Sequence, residues 1–361
     1  MGAIQIPTRR EVIESHQEAG GRLAAVLPVH NPRGLLRSFD LLPVEVWGPP
    51  GMDTTTGDEH LQAYTCSIVR CSLAFVLSGA LEAVDVIVVP HACDSLQGLG
   101  SLMIDFIKPS QPVLPMYLPR QAGAAAQDFM AAELRALFER LVEITGKRPT
   151  DAEVMAAVER EQEADGLLTQ LSRQRAQLSL SCPELYRVMR AREYLPAERF
   201  AVVARHALEQ RAAEPRSGVP LILSGLLPEP MRILEVIAEA GGRVAADDLA
   251  CCGRRLYPPG RSDDPLQRLA QSLLGGSPDA TRGSSVQDRV DHLQRLVLQS
   301  GAKAVVFYLV KFCEPELFYL PQLRAALERS GVRSVTIEVD VGDPMSHQVV
   351  TRLEALLETL G

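Results

Sequence analysis

The 361-residue chain lacks the features that would place it in a membrane, in a secretory route or on nucleic acid. No apolar run approaches the ~18 residues that a membrane-spanning helix needs. The N-terminal segment MGAIQIPTRREVIESHQEAG has no apolar core of the kind found in signal peptides. The net charge is −8 and the pI is near 5.5, so no overall positive field attracts phosphate backbones. We therefore expect a cytoplasmic protein with no membrane and no nucleic-acid partner.

The sequence also lacks the cysteine pattern of a disulfide-bonded or structural zinc protein. Disulfides are not expected, because the cysteines are odd in number, irregularly spaced and not preceded by a secretion signal. Structural zinc usually takes two C-x₂₋₄-C pairs. Cys66 and Cys71 formally match one pair, but they fall in a predicted helical run that would point them apart, and no second pair follows. The seven cysteines are at positions 66, 71, 93, 182, 251, 252 and 313.

The composition is that of a globular protein with more than one folding unit. Hydrophobic residues make up 46% of the chain and charged residues 23%, which excludes a mostly disordered chain. At 361 residues, two domains or one domain with a large insertion are expected.

Two stretches of alternating strands and helices flank a helical segment. Short apolar runs at Arg22–Val29, Val44–Trp47, Val84–Pro90 and 112–118 alternate with helical patterns, one of them predicted from Asp58 to Glu82. Such runs are typical of a parallel sheet covered on both faces. The same scheme returns with predicted strands at 219–225, 243–247, 304–310 and 333–340.

The predicted domain limits are 1–122 for an N-terminal α/β domain, 123–216 for a helical connector and 217–361 for a C-terminal α/β domain. Residues 123–216 show only helical periodicity, and Thr150 or Asp151 would cap their second helix. EPRSG (Glu214–Gly218) marks the predicted boundary. The two α/β units correspond element by element, so the predicted fold class is α/β with two flavodoxin-like, Rossmann-like parallel sheets.

Cys93 and Cys313 occupy corresponding places, each just beyond the third strand of its unit. Ligands of open parallel sheets bind at the carboxyl ends of the strands. If the units face each other across a cleft, two thiols converge there, and Cys66 or Cys71 could supply a third. Each cysteine alone also fits a buried hydrophobic residue, but the duplicated placement favours a site for iron or zinc. Cys252, beyond the second strand of the second unit, is on the same edge.

Several motifs carry a resemblance to a known family. They are NPRGLLRSFDLLPVEVWG, AYTCSIVR with VIVVPHACDSLQGL, LILSG with ADDLACCGRR, and VKFCEPELFYLPQLRAALERSGVRSVTIEVD with TRLEALLETL. In this order the chain resembles, over nearly its whole length, the subunits of 2-hydroxyacyl-CoA dehydratases and benzoyl-CoA reductases, together with the related double-cubane cluster proteins.

The resemblance implies a [4Fe-4S] cluster in the cleft between the two domains, bound by Cys66, Cys93 and Cys313. Cys252 is a possible additional ligand because of its place on the same edge. It implies low-potential electron transfer to an acyl-CoA thioester, for 2-hydroxyacyl-CoA dehydration or for ring reduction of the benzoyl-CoA type. The implied partners are an ATP-hydrolysing iron–sulfur activator and a homologous subunit, as a heterodimer, or a second copy, as a homodimer.

Two other functions remain open from the sequence. A homodimeric reductase of small molecules with a double-cubane [8Fe-9S] cluster would need more than three cysteines, which Cys252 and Cys71 keep possible. A non-catalytic scaffold subunit would have lost the cluster. One departure from the family pattern is Gly34, where relatives often carry a glutamate. The loop segments LYPPGRSDDP and GGSPDATRGSS are predicted to be surface loops rather than a cover over the site.

Overall fold

The computed structural model describes residues 4–49, 51–214 and 217–360, and these form two four-stranded parallel sheets. The strand orders are β2-β1-β3-β4 and β6-β5-β7-β8, so the order reverses at the first strand of each unit. This confirms the predicted α/β class with two flavodoxin-like units. The strands are β1 (Arg22–Val26), β2 (Leu41–Glu45), β3 (Val86–His91), β4 (Val113–Tyr117), β5 (Val219–Gly225), β6 (Gly242–Leu249), β7 (Ala304–Val310) and β8 (Arg333–Val339).

Helices flank both sheets and form the segment between them. Those of the first unit are α1 (Arg9–Glu18), α2 (Arg33–Ser38), α3 (Thr55–Asp58), α4 (Ser67–Leu77) and α5 (Asp94–Leu102). The connector contains α6 (Ala124–Thr145), α7 (Asp151–Gln174), α8 (Cys182–Arg190) and α9 (Ala197–Glu209). The second unit contains α10 (Arg232–Glu239), α11 (Pro265–Leu274), α12 (Val286–Ser300), α13 (Glu314–Arg329) and α14 (His347–Glu358). Across the described ranges, no helix has the length and apolar character needed to cross a membrane.

The central strands are buried on both faces, which explains their continuous apolar runs. All seven residues of β7 are buried, and β3 is buried up to His91 at its end. Continuous runs of this kind distinguish parallel strands between two helical layers from half-exposed strands, whose apolar residues alternate. The apolar runs in the sequence therefore located both sheets.

The connector packs against both units. Thr150 caps α7 in a capping box with Glu153, as the sequence predicted. One hydrophobic cluster contains Leu134 of α6 and Val158 of α7 together with residues of α2 and of α11. The helical segment therefore stabilises the arrangement of the two sheets. Residues 215 and 216 of the predicted boundary lie outside the described residues, and the domain limits stay a prediction.

The long helix predicted from Asp58 to Glu82 is interrupted, which changes the position of one candidate ligand. The chain forms the short α3, then leaves helical geometry, and α4 begins only at Ser67. Cys66 has φ −62° and ψ 148°, an extended conformation, and is the N-cap of α4. Cys66 is therefore at a helix N-terminus and not inside a helix.

The carboxyl edges of the two sheets face each other. Arg255, after β6, donates to both carboxylate oxygens of Glu45 at the end of β2, with one of the distances 2.9 Å. His30, after β1, is 2.8 Å from the Tyr257 hydroxyl. The backbone N–H of Val341, after β8, donates to the Ser67 hydroxyl at 3.1 Å. The strand ends of both units therefore form the walls of one cleft.

Candidate functional site

Cys66, Cys93 and Cys313 occupy the same structural position in three helices. Cys66 is the N-cap of α4, Cys93 the N-cap of α5 and Cys313 the N-cap of α13. The side chains of Ser, Thr, Asp or Asn at an N-cap usually accept a backbone N–H. Three cysteines at N-caps leave three sulfurs beside the positive ends of three helices.

The three thiols lie near one another, although they come from both units. Burial raises the pKa of Cys313, and the neighbouring thiols of Cys66 and Cys93 raise it further. Burial likewise raises the pKa of Cys66 to about 12, with Cys93 again contributing. The Cys313 thiol is therefore within electrostatic range of the other two, in a poorly solvated part of the cleft. The structure places all three cysteines at this cleft, and their role as ligands stays a prediction.

Backbone N–H groups surround each sulfur. Those of Val69 and Ile68 oppose the effect of burial on the Cys66 pKa, those of Leu96 and Ser95 act on Cys93, and that of Glu316 acts on Cys313. N–H groups and helix N-termini stabilise negative charge. The surroundings therefore favour thiolates once a cation replaces the protons, while burial keeps the free thiols protonated at neutral pH.

Among the residues that the structure describes, no group of three or more His, Cys, Asp or Glu side chains is arranged to hold a metal ion. A cubane cluster requires a different arrangement, because each thiolate binds a different iron and the sulfurs do not converge on one point. The buried thiols of Cys66 and Cys313 and the half-buried thiol of Cys93, all beside N–H donors at one cleft, fit a thiolate-bound cluster better than a single ion.

Phe312, directly before Cys313, has an unusual backbone conformation. Its φ is +61°, in the left-handed region that bulky residues rarely adopt. The turn is held by a hydrogen bond from the Cys313 N–H to the Val310 carbonyl at 3.1 Å. This conformation directs the chain from β7 into α13 and leaves Phe312 partly exposed beside the site.

Two cavities open beside the trio. One, of about 240 Å³, reaches Cys93 and is lined by Arg120, Phe318 and Tyr319 among others. The other, of about 460 Å³, is lined by Tyr64 and Phe106 among others. Asp94, Ser95 and Glu314 line both. A molecule entering the cleft would therefore pass aromatic rings and the carboxylates of Asp94 and Glu314. These two residues directly follow the candidate ligands Cys93 and Cys313 in the sequence.

The other cysteines have different surroundings. Cys252 contacts its neighbour Cys251, with the sulfurs 3.5 Å apart, and both are buried near Asp247 and Arg190. Cys71 is buried within α4 and Cys182 is the first residue of α8. Cys252 therefore differs from the trio in two ways: its sulfur contacts that of Cys251, and it caps only a single 3₁₀ turn, Gly253–Arg255, and not an α-helix.

Two polar residues flank Cys93. The Asp94 carboxylate is 3.2 Å from the Arg120 guanidinium and does not cap α5, whose N-cap is Cys93 itself. His91 ends β3, and within the described part of the chain its ring nitrogens have no hydrogen-bond partner. The His91 ring packs edge-on against Tyr117.

A buried charge network behind the trio was not predicted from the sequence. Arg254 is 2.7 Å from Glu316 and 3.2 Å from Asp279, and Arg289 is 2.6 Å from Asp248. Glu316 lies in the first turn of the helix that Cys313 caps, so the network connects that helix to the loop after β6. The stretch ADDLACCGRR carried a signal for it, because two aspartates lie near the end of β6 and two arginines follow the strand.

The segments expected to be surface loops take part in this cleft. Tyr257 of LYPPGRSDDP is partnered with His30, and Asp279 of GGSPDATRGSS is buried and caps the turn at Thr281. The expectation is wrong for these two residues, because the Tyr257 hydroxyl pairs with the His30 ring and the Asp279 carboxylate pairs with Arg254. These two residues therefore line the cleft from the side of the second unit.

At Gly34, where relatives often carry a glutamate, helix α7 of the connector leaves no space for a side chain. An added Cβ on Gly34 would lie 2.9 Å from both Cα and Cγ2 of Val158 in α7. Gly34→Glu is therefore expected to destabilise the protein by at least about 3 kcal/mol, because a longer side chain overpacks the contact and buries a charge. Urea denaturation measures this. Gly166→Ala, in the open face of the same α7, should be neutral or stabilising by up to about 1 kcal/mol. Equal stabilities for the two variants would contradict the contact.

His30 gives the fold a defined pH dependence. Burial lowers its pKa from 6.5 to about 4. The Asp279 carboxylate acts in the opposite direction and raises the pKa, while nearby guanidinium groups lower it further, those of Arg282, Arg254 and Arg255. The folded state therefore binds fewer protons than the unfolded state, so stability falls as the pH drops from 6.5 towards 4.

The expected loss is roughly 3 kcal/mol over that window. His30→Gln should flatten the plot of unfolding free energy against pH between 6.5 and 5, where glutamates such as Glu161, with a pKa of about 2, stay ionised. Burial also lowers the pKa of His91, so a smaller dependence of the unfolding free energy on pH should remain in His30→Gln. An unchanged slope in His30→Gln would show that other groups titrate.

Comparisons with known proteins place the chain in one group. Residues 28–360 match the family model of the 2-hydroxyglutaryl-CoA dehydratase D-component. The chain is 24% identical to the lactoyl-CoA dehydratase subunit beta of Anaerotignum propionicum, over 95% of this chain and 93% of the relative. It is 25% identical to the (R)-2-hydroxyglutaryl-CoA dehydratase subunit beta of Acidaminococcus fermentans, over 97% and 96%. It is 26% identical to a benzoyl-CoA reductase subunit of Thauera aromatica, over 84% and 81%.

Proposed function

Because the chain belongs to the 2-hydroxyglutaryl-CoA dehydratase D-component family, we propose that it is the iron–sulfur subunit of a reductive enzyme that acts on an acyl-CoA thioester. The reaction is the dehydration of a 2-hydroxyacyl-CoA or the reduction of an aromatic ring, as the names of the relatives suggest. The observation that carries the proposal is the placement of Cys66, Cys93 and Cys313 at three helix N-caps in one cleft.

In this proposal the three thiolates hold a [4Fe-4S] cluster, which when bound supplies an electron of low potential. The helix N-termini and backbone N–H groups stabilise the negative charge of the thiolates and the cluster. Cys66, Cys93 and Cys313 would be its three protein ligands, so the cluster would keep one position for an exchangeable ligand. The buried cleft limits the access of water, and the cavity that reaches Cys93 provides an entrance.

A second subunit and an electron source complete the proposal. The relatives are named as subunits, so we place this chain beside a homologous subunit. An ATP-hydrolysing iron–sulfur activator would deliver the electron. The homodimeric double-cubane reductase stays an alternative. The Cys251 and Cys252 sulfurs contact each other, and Cys252 caps only a 3₁₀ turn and not an α-helix as each member of the trio does, which favours a single cubane.

Iron and acid-labile sulfide analysis of anaerobically purified protein separates these functions. About four irons per chain are expected for the [4Fe-4S] subunit and about eight for the double-cubane reductase. A protein without iron, under conditions that load a known iron–sulfur protein in the same host, would leave only the scaffold function. Co-purification with a chain of like fold would support the heteromeric assembly.

A further inference from the structure

An apolar cavity of about 260 Å³ lies apart from the three cysteines. It is bounded by the β1–β2 part of the first sheet, by α1 and α4, and by the loop after β5 of the second unit. Its lining is mainly apolar and includes Leu23, Val44, Trp47, Phe75 and Leu227. No part of the dehydration or reduction proposed above requires a cavity here.

Ala25 of β1 is buried and forms part of the inner wall of this cavity. Ala80 and Ala83, after α4, are exposed and lie at its mouth. A larger apolar side chain at position 25 would fill the inner part. An apolar space at the junction of both units that a molecule can enter past Ala80 and Ala83 is therefore a candidate ligand site.

The charged groups at one end of the cavity are paired with one another. Arg9 is 2.7 Å from Glu193, Arg190 pairs with Glu229, and Glu45 is held by Arg255. No guanidinium or carboxylate among these is left to balance a charge on a bound molecule. A charged ligand would be desolvated without a partner, so the site favours an uncharged one.

We propose that this cavity binds an uncharged hydrocarbon group about the size of a substituted phenyl ring. An apolar cavity of about 150 Å³ in another protein binds benzene, so one of about 260 Å³ accommodates a ring with a short chain. The group could belong to a free apolar molecule or to the acyl part of a thioester. The binding itself does not rest on the cluster or on the function proposed above.

Trp47 makes the test direct, because it is the one tryptophan of the chain and lines the cavity. Full-length protein is titrated with ethylbenzene, and a saturable change in tryptophan fluorescence is expected. Val44→Phe places a ring in the space that the ligand would occupy. Because each methylene that the ligand can no longer bury lowers its affinity, the apparent Kd should rise at least about tenfold. Ala25→Leu is the second filling variant, in case Val44→Phe does not fold. Val202→Phe makes the same substitution at an exposed site and should bind like the wild type.

No saturable change in the wild type, or equal affinity in the filled variants, would overturn the proposal. A second arm compares 3-phenylpropanoyl-CoA with acetyl-CoA. Tighter binding of the phenyl ester that disappears in Val44→Phe assigns the cavity to the acyl part of a thioester. Binding of ethylbenzene alone assigns it to a free apolar molecule. Iron analysis decides the proposed function separately.

Discussion

Cys313→Ala is expected to lower the iron bound per chain by more than about tenfold and to abolish the cluster absorbance of anaerobically purified protein. Cys313 is the one member of the trio that comes from the second unit. Without it, only the two thiols on the other side of the cleft would be left to hold a cluster. Iron determination and visible absorbance spectra measure the loss. Cys66→Ala and Cys93→Ala should behave in the same way.

Two cysteines outside the trio serve as controls. Cys71 is buried in α4, the helix that Cys66 caps, and Cys182 begins α8 in the connector. Cys71→Ala and Cys182→Ala should keep the iron content and the spectrum of the wild type. Circular dichroism confirms that each variant is folded. A full iron content in Cys313→Ala would discard the three-cysteine site.

Arg254→Met is expected to destabilise the cluster-free protein by about 3–5 kcal/mol, because it removes one partner from a buried charge network. The Arg254 side chain has no solvent exposure and contacts Asp279, Glu316, the Asp248 carbonyl and the Gly225 carbonyl. Its loss leaves the carboxylates of Asp279 and Glu316 without this cation, while Asp248, 3.6 Å from Arg254, keeps its pairing with Arg289. Equilibrium denaturation in guanidinium chloride measures the change in unfolding free energy.

Arg232→Met provides the matched control. Arg232 also pairs with two carboxylates, Glu235 and Glu239, but its side chain is 45% exposed. Exposed ion pairs contribute little, so less than about 1 kcal/mol is expected. If both variants lost the same stability, burial of the network would have no energetic importance.

Arg254→Met should also lower the iron bound per chain. Glu316, its partner, lies in the first turn of α13, the helix that Cys313 caps.

The fold could be predicted where burial imposes an unbroken apolar run. The predicted bounds of β5 and β7 agree with the structure, because these strands are buried centres of a parallel sheet. The helix before β3 was predicted too long, since the helical pattern of residues 58–82 does not show that Cys66 takes an extended N-cap conformation. Element type was therefore more predictable than the boundary on which the site depends.

The candidate site was predictable only in part. Two thiols at corresponding strand ends are visible in the sequence because the duplication repeats the pattern. The pairing of Glu45 with Arg255, 210 positions apart, leaves no local signal. His30 similarly depends on Tyr257, in a segment that composition alone suggests is an exposed loop. Long-range pairing of buried charges is decided by tertiary structure, which periodicity and spacing do not encode.

Anomalous diffraction at the iron absorption edge, from crystals of anaerobically purified protein, tests the central claim most directly. We predict one compact iron peak within bonding distance of the sulfurs of Cys66, Cys93 and Cys313, between the carboxyl edges of the two sheets. Iron located at other residues, or the three sulfurs packed against hydrocarbon in crystals that contain no iron, would contradict the account.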